Sequence, residues 1–411
     1  MNMWKKELAI ALMAFFALSA TAKELQREIT LENKSKTDIT PYALSIDLNG
    51  MDIAVKSAKV TLGGEVVPCQ LDDLDGNGSY DELFVLVDLP RKKKVTLQVA
   101  LSDSGAPLSY QPRVYVDMML TNKKIKESNK QDLYISQLTV DRGVNPYNML
   151  HHHGAAFENE LVAYRVYFDH RQTVDIYGKY KKGLELKETQ FYPDKAQAAA
   201  GYGDDVLWVG NTFGVGTLRG WDGSSPTMVS DVEHRGQRII ARGPLRTIVE
   251  VYDQCWRPQP SDLPVDMTTR YTLYAGRRDC RVDVKFSRPM ADILLSTGII
   301  NVKNSMEYSD HRGLRGCWGT DWPVSEKDSA GHKRETVGLG ICLPAANVSR
   351  ELEANSDNYP FVVSVPGTSL SYGITFGSDN ESFGMHCAKD WFAYLEEWKK
   401  ILEAEVVCTM K

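Results

Sequence analysis

Residues 151–179 concentrate the side chains that acid–base chemistry uses. The segment HHHGAAFENELVAYRVYFDHRQTVDIYGK opens with three consecutive histidines, His151–His153, and two carboxylates, Glu158 and Glu160, follow closely. Histidine, carboxylate and tyrosine side chains are the groups most often recruited as general acids and bases. The residue types therefore indicate proton transfer on a polar ligand as the chemistry of this segment.

Two strand-like runs, joined at residues 169–172, must position these groups, and strand side chains alternate between two faces. One face of the first run is expected to carry Glu158, Glu160, Tyr164 and Phe168. Its other face is expected to carry Arg165, Tyr167 and Asp169. In the second run, the apolar side carries Val174 and Ile176, and the polar side carries Asp175, Tyr177 and Lys179. The pattern predicts a sheet with one apolar side and one polar side suited to a hydroxyl-rich ligand.

A solvated sheet face is the alternative explanation. Antiparallel strands often turn a polar side to water, and three histidines in a row can form a loop without a role. A plain exposed face would more often carry Lys, Glu and Thr than His, Tyr and Arg. The composition of this segment therefore favours a functional site.

Three reactions on sugars fit the residue types. A lyase acting on a uronic acid needs a base for the C5 proton and a cation or acid beside the carboxylate. A mutarotase or epimerase needs a base and an acid at the anomeric centre. A glycosidase needs two carboxylates at a defined separation, for which Glu160 with Asp169 or Asp204 are the candidates. The catalytic candidates are His151, His152, His153, Glu160, Arg165 and Tyr177.

Further residues are expected to bind the substrate. Thr269–Phe286 reads as a hairpin in which Arg270 and Tyr274 share a face. Trp221 belongs to a Gly- and aromatic-rich stretch that could stack on sugar rings or wedge sheets together. The substrate-binding candidates are Glu158, Tyr164, Asp175, Lys179, Trp221, Arg270, Tyr274 and His311. A protein that only binds a glycan is the alternative to an enzyme, and none of these reactions requires a cofactor.

The loop at residues 73–82 resembles a calcium-binding loop in its spacing. Asp73, Asp75, Asn77, Ser79 and Asp81 occupy positions 1, 3, 5, 7 and 9 of such a loop. Position 12, which should be a bidentate carboxylate, is occupied by Phe84. The alternative is a hairpin turn that its own Asp and Asn side chains stabilise. A calcium ion bound here would be structural.

The N-terminus has the pattern of a secretory signal peptide over residues 1–22. Lys5 and Lys6 precede the apolar run Leu8–Leu18, and Ala20-Thr21-Ala22 is a small-residue cleavage site. The run is too short to span a membrane, and no cysteine lies near the cut for a lipid anchor. We therefore expect a secreted or periplasmic protein that begins near Lys23. Its net charge of −7, one below that of the whole chain, argues against nucleic acid as a partner.

The remaining pattern predicts an all-β protein. Short strands punctuated by Gly, Pro and Asp over residues 23–112 indicate an accessory β-sandwich of the immunoglobulin type. Residues 113–411 form a second, larger unit. The terminal segment Ala388–Ala404 is expected to form a helix, because Trp391, Leu395, Trp398 and Leu402 fall on one side. The seven cysteines show no CxxC spacing, so neither a zinc site nor a disulfide framework is expected.

Two segments carry a resemblance to known proteins. From about Arg113 onward, and in TRYTLYAGRRDCRVDVKF above all, the chain resembles the galactose-mutarotase-like supersandwich group. Residues 151–179 and the segment YGDDVLWVGNTFGVGTLRGW resemble a bacterial family catalogued as domain of unknown function 4861. That resemblance implies a supersandwich fold and a setting in the breakdown of uronic-acid glycans. It implies no catalytic residues, and the sequence leaves the oligomeric state open.

Overall fold

A computed structural model describes residues 22–411 of the chain. The predicted signal peptide lies outside the described residues, apart from Ala22. Within residues 22–411 no helix is both long and apolar enough to cross a membrane.

The chain begins with a β-sandwich. Its first seven strands are β1 (Glu24–Asn33), β2 (Ile39–Asp47), β3 (Ser57–Leu62), β4 (Glu65–Val67), β5 (Cys69–Asp72), β6 (Glu82–Leu89) and β7 (Lys94–Ser102). Alternate residues such as Ile29, Leu31, Leu97 and Val99 point inward and are fully or almost fully buried. The predicted sandwich is therefore present, and its immunoglobulin type remains a prediction.

The second unit contains most of the strands. They are β8 (Val114–Asp117), β9 (Met119–Leu120), β10 (Leu133–Tyr134), β11 (Gln137–Asp141), β12 (Gly154–Asn159), β13 (Ala163–Tyr167), β14 (Val174–Gly178), β15 (Asp204–Asp205), β16 (Arg219–Trp221), β17 (Pro226–Thr227), β18 (His234–Arg242), β19 (Arg246–Trp256), β20 (Val265–Tyr274), β21 (Asp279–Phe286), β22 (Met290–Ile300), β23 (Met306–Ser309), β24 (Leu314–Asp321), β25 (Glu335–Cys342), β26 (Val348–Glu351), β27 (Asn358–Val365) and β28 (Ser369–Ser378).

Helices are few in the described part of the chain. They are α1 (Leu186–Thr189), α2 (Lys195–Ala199) and α3 (Ala388–Leu402), with single 3₁₀ turns at His151–His153, Glu326–Asp328 and Ala345–Asn347. The mainly-β prediction and the predicted C-terminal helix are confirmed.

The last strand returns to the first sandwich. β29 (Val406–Met410) pairs antiparallel with β1, so the five-stranded sheet has the order β29-β1-β7-β3-β4 and faces the sheet β2-β6-β5. The expected division at residue 112 therefore needs a correction, since residues 113–411 include one strand of the accessory sandwich. Local sequence could not predict this pairing, because β29 is only five residues long and its partner, β1, lies far away in the chain.

Two layers of sheet form the second unit. One layer is a nine-stranded sheet in the order β11-β18-β19-β20-β21-β28-β25-β24-β23. The other consists of the sheets β15-β14-β13-β12-β8 and β17-β16-β22-β27-β26, which residues Gly214 and Val215 join through single bridges. A continuous apolar core fills the space between the layers, from Phe157 and Ile176 on one side to Val282 and Phe376 on the other.

Helix α3 packs on the outer face of the nine-stranded sheet. Trp391, Leu395 and Trp398 lie on one side of it and are buried. Sheet glycines make room for them, since a Cβ on Gly338 would lie 2.5 Å from the Trp391 ring. The apolar spacing thus predicted the helix and most of its buried side, although Leu402, expected on that side, is exposed.

Candidate functional site

Strand register creates the polar face of the sheet β15-β14-β13-β12-β8. Ala156, Arg165 and Asp175 lie side by side across β12, β13 and β14. Their neighbours along the strands, such as Phe157 and Tyr164, point into the core between the layers. We call the outward side of these strands the polar face, and its polar residues are Tyr115, Asp117, Glu158, Arg165, Tyr167, Asp175 and Tyr177.

The predicted placement of Glu158 and Tyr164 on one face was wrong. Residues 158–168 are two strands and not one, because the chain reverses after Asn159. The Asn159 side-chain oxygen accepts hydrogen bonds from the backbone N–H groups of Leu161 and Val162, at 2.8 and 3.0 Å, and holds the turn. Tyr164 consequently lies in the core, where its hydroxyl donates to the carbonyl of Arg278.

The polar face is buried, so a solvated face does not explain it. Arg165 is 3% exposed, and one of its terminal nitrogens donates to both Asp175 Oδ2 and Asp205 Oδ2 at 2.7 Å. The Tyr192 hydroxyl accepts a further bond at 2.9 Å, and the guanidinium carbon lies 4.1 Å from the centre of the Phe191 ring. Aromatic rings and carboxylates together enclose this cation.

The carboxyl of Asp205 is the more accessible of the two that bind Arg165. Burial raises its pKa well above the usual range; Arg165 opposes the shift, and the neighbouring Asp175 adds to it. Asp205 lies at the edge strand β15 with its side chain 19% exposed, whereas Asp175 is fully buried. A carboxyl with a raised pKa at a partly open position suits the role of a general acid.

The three histidines form a tight turn at the end of the same sheet. His152 and His153 have positive φ angles of 42° and 69°, a conformation that costs a non-glycine residue roughly 1–3 kcal/mol. His151 Nε2 donates to the carbonyl of Gln190 at 3.1 Å. His152 Nε2 lies 3.2 Å from Asp117 Oδ1 in a buried pair that lacks hydrogen-bond alignment. The three imidazoles of this turn therefore lie in three different environments.

His153 is the member of the triplet that remains partly open to solvent. Its Nδ1 donates to the Tyr147 carbonyl at 3.0 Å, and its ring stacks on the Tyr147 ring at 3.7 Å. Because a carbonyl only accepts, the proton resides on Nδ1 and Nε2 keeps its lone pair. Burial lowers the pKa of His153 to about 4, so the ring is neutral at pH 7. Burial and the neighbouring His152 lower the pKa of the less accessible His151 to about 3.

Tyr167 connects His153 to the Arg165 group. Its ring meets His153 edge-on at 5.7 Å, and its hydroxyl donates to Asp175 Oδ2 at 2.9 Å. The Arg171 guanidinium lies 4.5 Å from the Tyr147 ring and 5.1 Å from the Tyr167 ring. We call this set the His153 cluster, and its members are Tyr147, His153, Arg165, Tyr167, Arg171 and Asp205. It combines a neutral imidazole, a carboxyl with a raised pKa and two cations.

Three other predicted site residues on the polar face have structural roles. Lys179, fully buried, pairs with the fully buried Glu158, which also accepts from the backbone N–H groups of Glu185 and Leu186. The Tyr177 hydroxyl donates to Glu185 Oε2 at 3.1 Å. These contacts fasten α1 over the sheet and close this part of the face to a ligand.

The remaining predicted residues do not join the cluster. Glu160 pairs with Arg113 at the opposite end of β13. Arg270 pairs with Glu250, and Tyr274 stacks on Phe84 of the accessory sandwich. Trp221 is buried in the sheet of β16, and His311 is an exposed residue beside Glu351. Each lies on an element that packs elsewhere, and strand alternation alone could not show this.

The loop at residues 73–81 brings together part of the predicted calcium site. Carboxylate oxygens of Asp73, Asp75 and Asp81 lie within 4.8 Å of one another. Asn77 Oδ1 instead accepts from the Ser79 backbone N–H at 2.8 Å, and Asp73 accepts from the Gly76, Asn77 and Gly78 backbone. The three clustered carboxylates are of the type that calcium prefers, and a calcium ion bound here stays a prediction.

Sequence reasoning missed several members of the cluster. Tyr147 and the Arg165 partner Tyr192, which lies outside the cluster, are in loops before and after the polar strands, and periodicity gives no signal there. Asp205 and Arg171 had a weak signal, since Asp204-Asp205 precedes an aromatic stretch and Arg171 lies in a charged turn. Only pairing of β14 with β15 brings Asp205 to the polar face.

A family model described as "Domain of unknown function (DUF4861)" matches residues 31–407, and the chain belongs to this family. No curated protein matches the chain in sequence.

Two of the solved structures that are similar to this chain come from Enterococcus faecalis. One is a protein in the Glycosyl Hydrolase Family 38, with 9% identity, a TM-score of 0.50, and coverage of 94% of this chain and 47% of that one. Another is an alpha-mannosidase of strain V583, with 9% identity, a TM-score of 0.49, and coverage of 94% and 46%. The chain thus spans about half the length of these structures, and at this identity the first likeness shows the fold alone.

Proposed function

We propose that this DUF4861 protein is an exported carbohydrate-active enzyme that cleaves uronic-acid-containing oligosaccharides by elimination. The observation that carries the proposal is His153, a neutral imidazole with Nδ1 held by a carbonyl and Nε2 available as a base. The similarity in fold to a protein in a glycosyl hydrolase family supports a carbohydrate as the substrate.

The His153 cluster provides each group that elimination needs. His153 Nε2 takes the C5 proton of the uronate, and the electron pair of the C5–H bond forms the C4=C5 double bond. The C4–O bond breaks, and the leaving oxygen takes the proton of the Asp205 carboxyl. Arg171 stabilises the charge that develops on the C6 carboxylate. Proton return from His153 to Asp205 through solvent restores both groups.

The separation of Glu160 from Asp169 argues against hydrolysis by that pair. Glu160 and Asp169 flank the five-residue strand β13 at opposite ends. At about 3.3 Å per residue the strand separates them by roughly 16 Å, whereas glycosidase carboxylates lie about 5–9.5 Å apart. Asp175 and Asp205 are close to each other, but Asp175 is fully buried and cannot meet a sugar.

A screen of the protein without residues 1–22 tests the proposal. Pectic, glucuronan-type and ulvan-type oligosaccharides, both intact and lyase-treated, are incubated with it while absorbance at the unsaturated-uronate band is followed. We expect absorbance to rise with at least one intact substrate. New reducing ends without that absorbance would contradict elimination in favour of hydrolysis, and change in neither would remove the enzyme proposal.

Export is a separate part of the proposal and has its own test. The basic start, apolar run and Ala20-Thr21-Ala22 motif support cleavage after Ala22. Mass spectrometry of the protein from its native host should find an N-terminus at or near Lys23. A chain that still begins at Met1 would contradict export by this route.

A further inference from the structure

A pocket with both polar and apolar lining residues lies near the His153 cluster. Its volume is about 350 Å³, and it is lined by residues 140–146, Asp169, His170, Ser230, Val232 and Arg235. We call it the His170 pocket. It lies near His153, because its lining residue Pro146 precedes Tyr147, whose ring stacks on His153, and its lining residue Asp169 pairs with Arg171.

The turn that carries His170 is held rigidly. Asp169 accepts from both the backbone and the side chain of Arg171, at 2.8 Å each. The His170 carbonyl accepts from the Val229 backbone N–H at 3.0 Å. The Gln172 side chain donates to the buried Asp253 at 2.6 Å. His170 itself is exposed, and its imidazole has no hydrogen-bond partner among residues 22–411. A rigid turn thus presents an uncommitted imidazole at the pocket.

Behind the turn lies a cation with no carboxylate partner in the described part of the chain. Arg219 is 2% exposed and donates only to neutral oxygens, among them the carbonyls of Asn211 at 2.7 Å and Arg171 at 3.1 Å. Burial lowers the pKa of Arg219 to about 10, which leaves it protonated at pH 7. Arg235 and Arg171 are each paired with one aspartate. Arg219 thus adds a positive charge behind His170, while Asp141 and Arg142 place one charge of each sign on the lining of the pocket itself.

We propose that the His170 pocket binds the uronate unit adjacent to the one that reacts at His153. The exposed Arg142 on its lining, with the buried Arg219 behind the turn, can attract a sugar carboxylate, and the free His170 imidazole can hydrogen-bond to a sugar oxygen. Val140, Val144, Pro146 and Val232 supply an apolar wall for the C–H face of a ring. The choice of a uronate rests on the proposed function. The pocket makes this a site for oligosaccharides, in which one unit reacts and its neighbour is held.

The arginines around the turn also act on the His170 imidazole. Partial desolvation at the turn lowers the pKa of the exposed His170, Asp169 opposes this shift, and Arg171, Arg235 and Arg219 add to it. The shift favours the neutral form of His170, while the arginines supply the attraction for an anion.

Calorimetry separates this proposal from the catalytic one. Trisaccharides of galacturonate, of glucuronate and of neutral galactose are titrated into the His153→Ala chain, which keeps the pocket but lacks the base. We expect binding of at least one uronate trisaccharide, tighter than that of the neutral one. Adding His170→Ala should weaken that binding about tenfold, the cost of one hydrogen bond to a charged or strongly polar group. His170→Gln, which keeps a donor, should recover part of the affinity.

The matched control is His386→Ala, which removes another exposed histidine that contacts only Asp379. It should leave affinity unchanged, and melting temperatures should confirm that all variants fold. Three results would each overturn the proposed binding site. They are equal affinities with and without His170, equal affinities for the neutral and uronate trisaccharides, and no binding of either uronate trisaccharide. Binding that depends on His170, in a native protein with no turnover, would overturn the elimination reaction and support the pocket.

Discussion

At the scale of single residues, the three histidines differ more than their adjacency suggests. His151 and His152 are buried, and only His153 combines partial exposure with a free ring nitrogen. A left-handed backbone at His152 and His153 turns the three rings into different surroundings. This difference leads to a specific expectation for each substitution.

Replacing His153 by Ala should reduce turnover about 10²–10⁴-fold, the usual contribution of a positioned base. His151→Ala should instead lower the melting temperature, because it removes the buried bond to the Gln190 carbonyl. The measurements are steady-state kinetics on the substrate found by the screen and thermal unfolding of both variants. Equal activity in the His153→Ala and native proteins would contradict the assignment of the base.

The pH dependence should follow the lowered pKa of His153. The base is the neutral form, so activity is present at neutral pH and is lost as the pH falls through about 4. Proton NMR of the histidine C–H signals, assigned with the His153→Ala variant, measures this pKa without any substrate. A His153 pKa near 6.5, the value of an exposed histidine, would show that the ring is not held as described.

The calcium loop gives a prediction about stability. Calcium should raise the melting temperature of the native protein and not that of Asp75→Ala, because Asp75 supplies one of three clustered carboxylates. Turnover should be unchanged, since the loop belongs to the accessory sandwich. Asp52→Ala is the control, an exposed aspartate of the same sandwich. Loss of activity in EDTA without unfolding would contradict a purely structural ion.

At the scale of elements, close contact between α3 and glycines of the nine-stranded sheet should be sensitive to a single methyl group. Gly338→Ala places a Cβ 2.5 Å from the Trp391 ring and 2.7 Å from the Trp318 ring. We expect it to lower the free energy of unfolding by about 1–3 kcal/mol, the cost of overpacking. Gly367→Ala is the control, because its Cβ would have nothing within 4 Å. Chemical denaturation measures the free energy of unfolding of both variants. An equally small change in the two would contradict tight packing of α3 on the sheet.

At the scale of the whole molecule, the last strand, β29, pairs with the first strand, β1. Five residues of β29 pair with β1, from Asn33 opposite Val406 to Ile29 opposite Met410. Deleting residues 405–411 should destabilise the accessory sandwich and expose β1 as an unpaired edge that can self-associate. Calorimetry and gel filtration should detect a lower transition temperature and larger species. The control is full-length Cys408→Ser, which keeps the backbone pairs; unchanged behaviour of the truncated chain would contradict the role of β29.

The two units also meet in a buried polar contact. The Gln70 side-chain oxygen accepts from the backbone N–H groups of Leu245 and Arg246, at 2.9 and 3.0 Å. Arg246 in turn pairs with Asp72 of the sandwich. No periodicity in sequence predicts such a contact, since its partners lie more than 170 positions apart.

Local pattern alone determined the fold class, the terminal helix, and the fact that strands at residues 151–179 carry a polar side. Alternation and 3.6-residue spacing are properties of neighbouring residues, so they can be seen before folding. The same pattern correctly put Arg165 and Tyr167 on one face of the first strand, and Asp175 and Tyr177 on the polar face of the second. It could not show whether that side meets water or another layer of protein.

Tertiary structure alone decided which of these groups are available for chemistry. The turn after Asn159 places Tyr164 in the core, while Glu158 lies under α1. Asp205 follows Arg165 by 40 positions in the chain and reaches it because β15 pairs with β14. His153 and Lys179 are both polar residues of one segment, yet one keeps a free nitrogen while the other is locked in a buried ion pair. Burial and long-range pairing set the proton affinity and access of each group, and neither is a property of the local sequence.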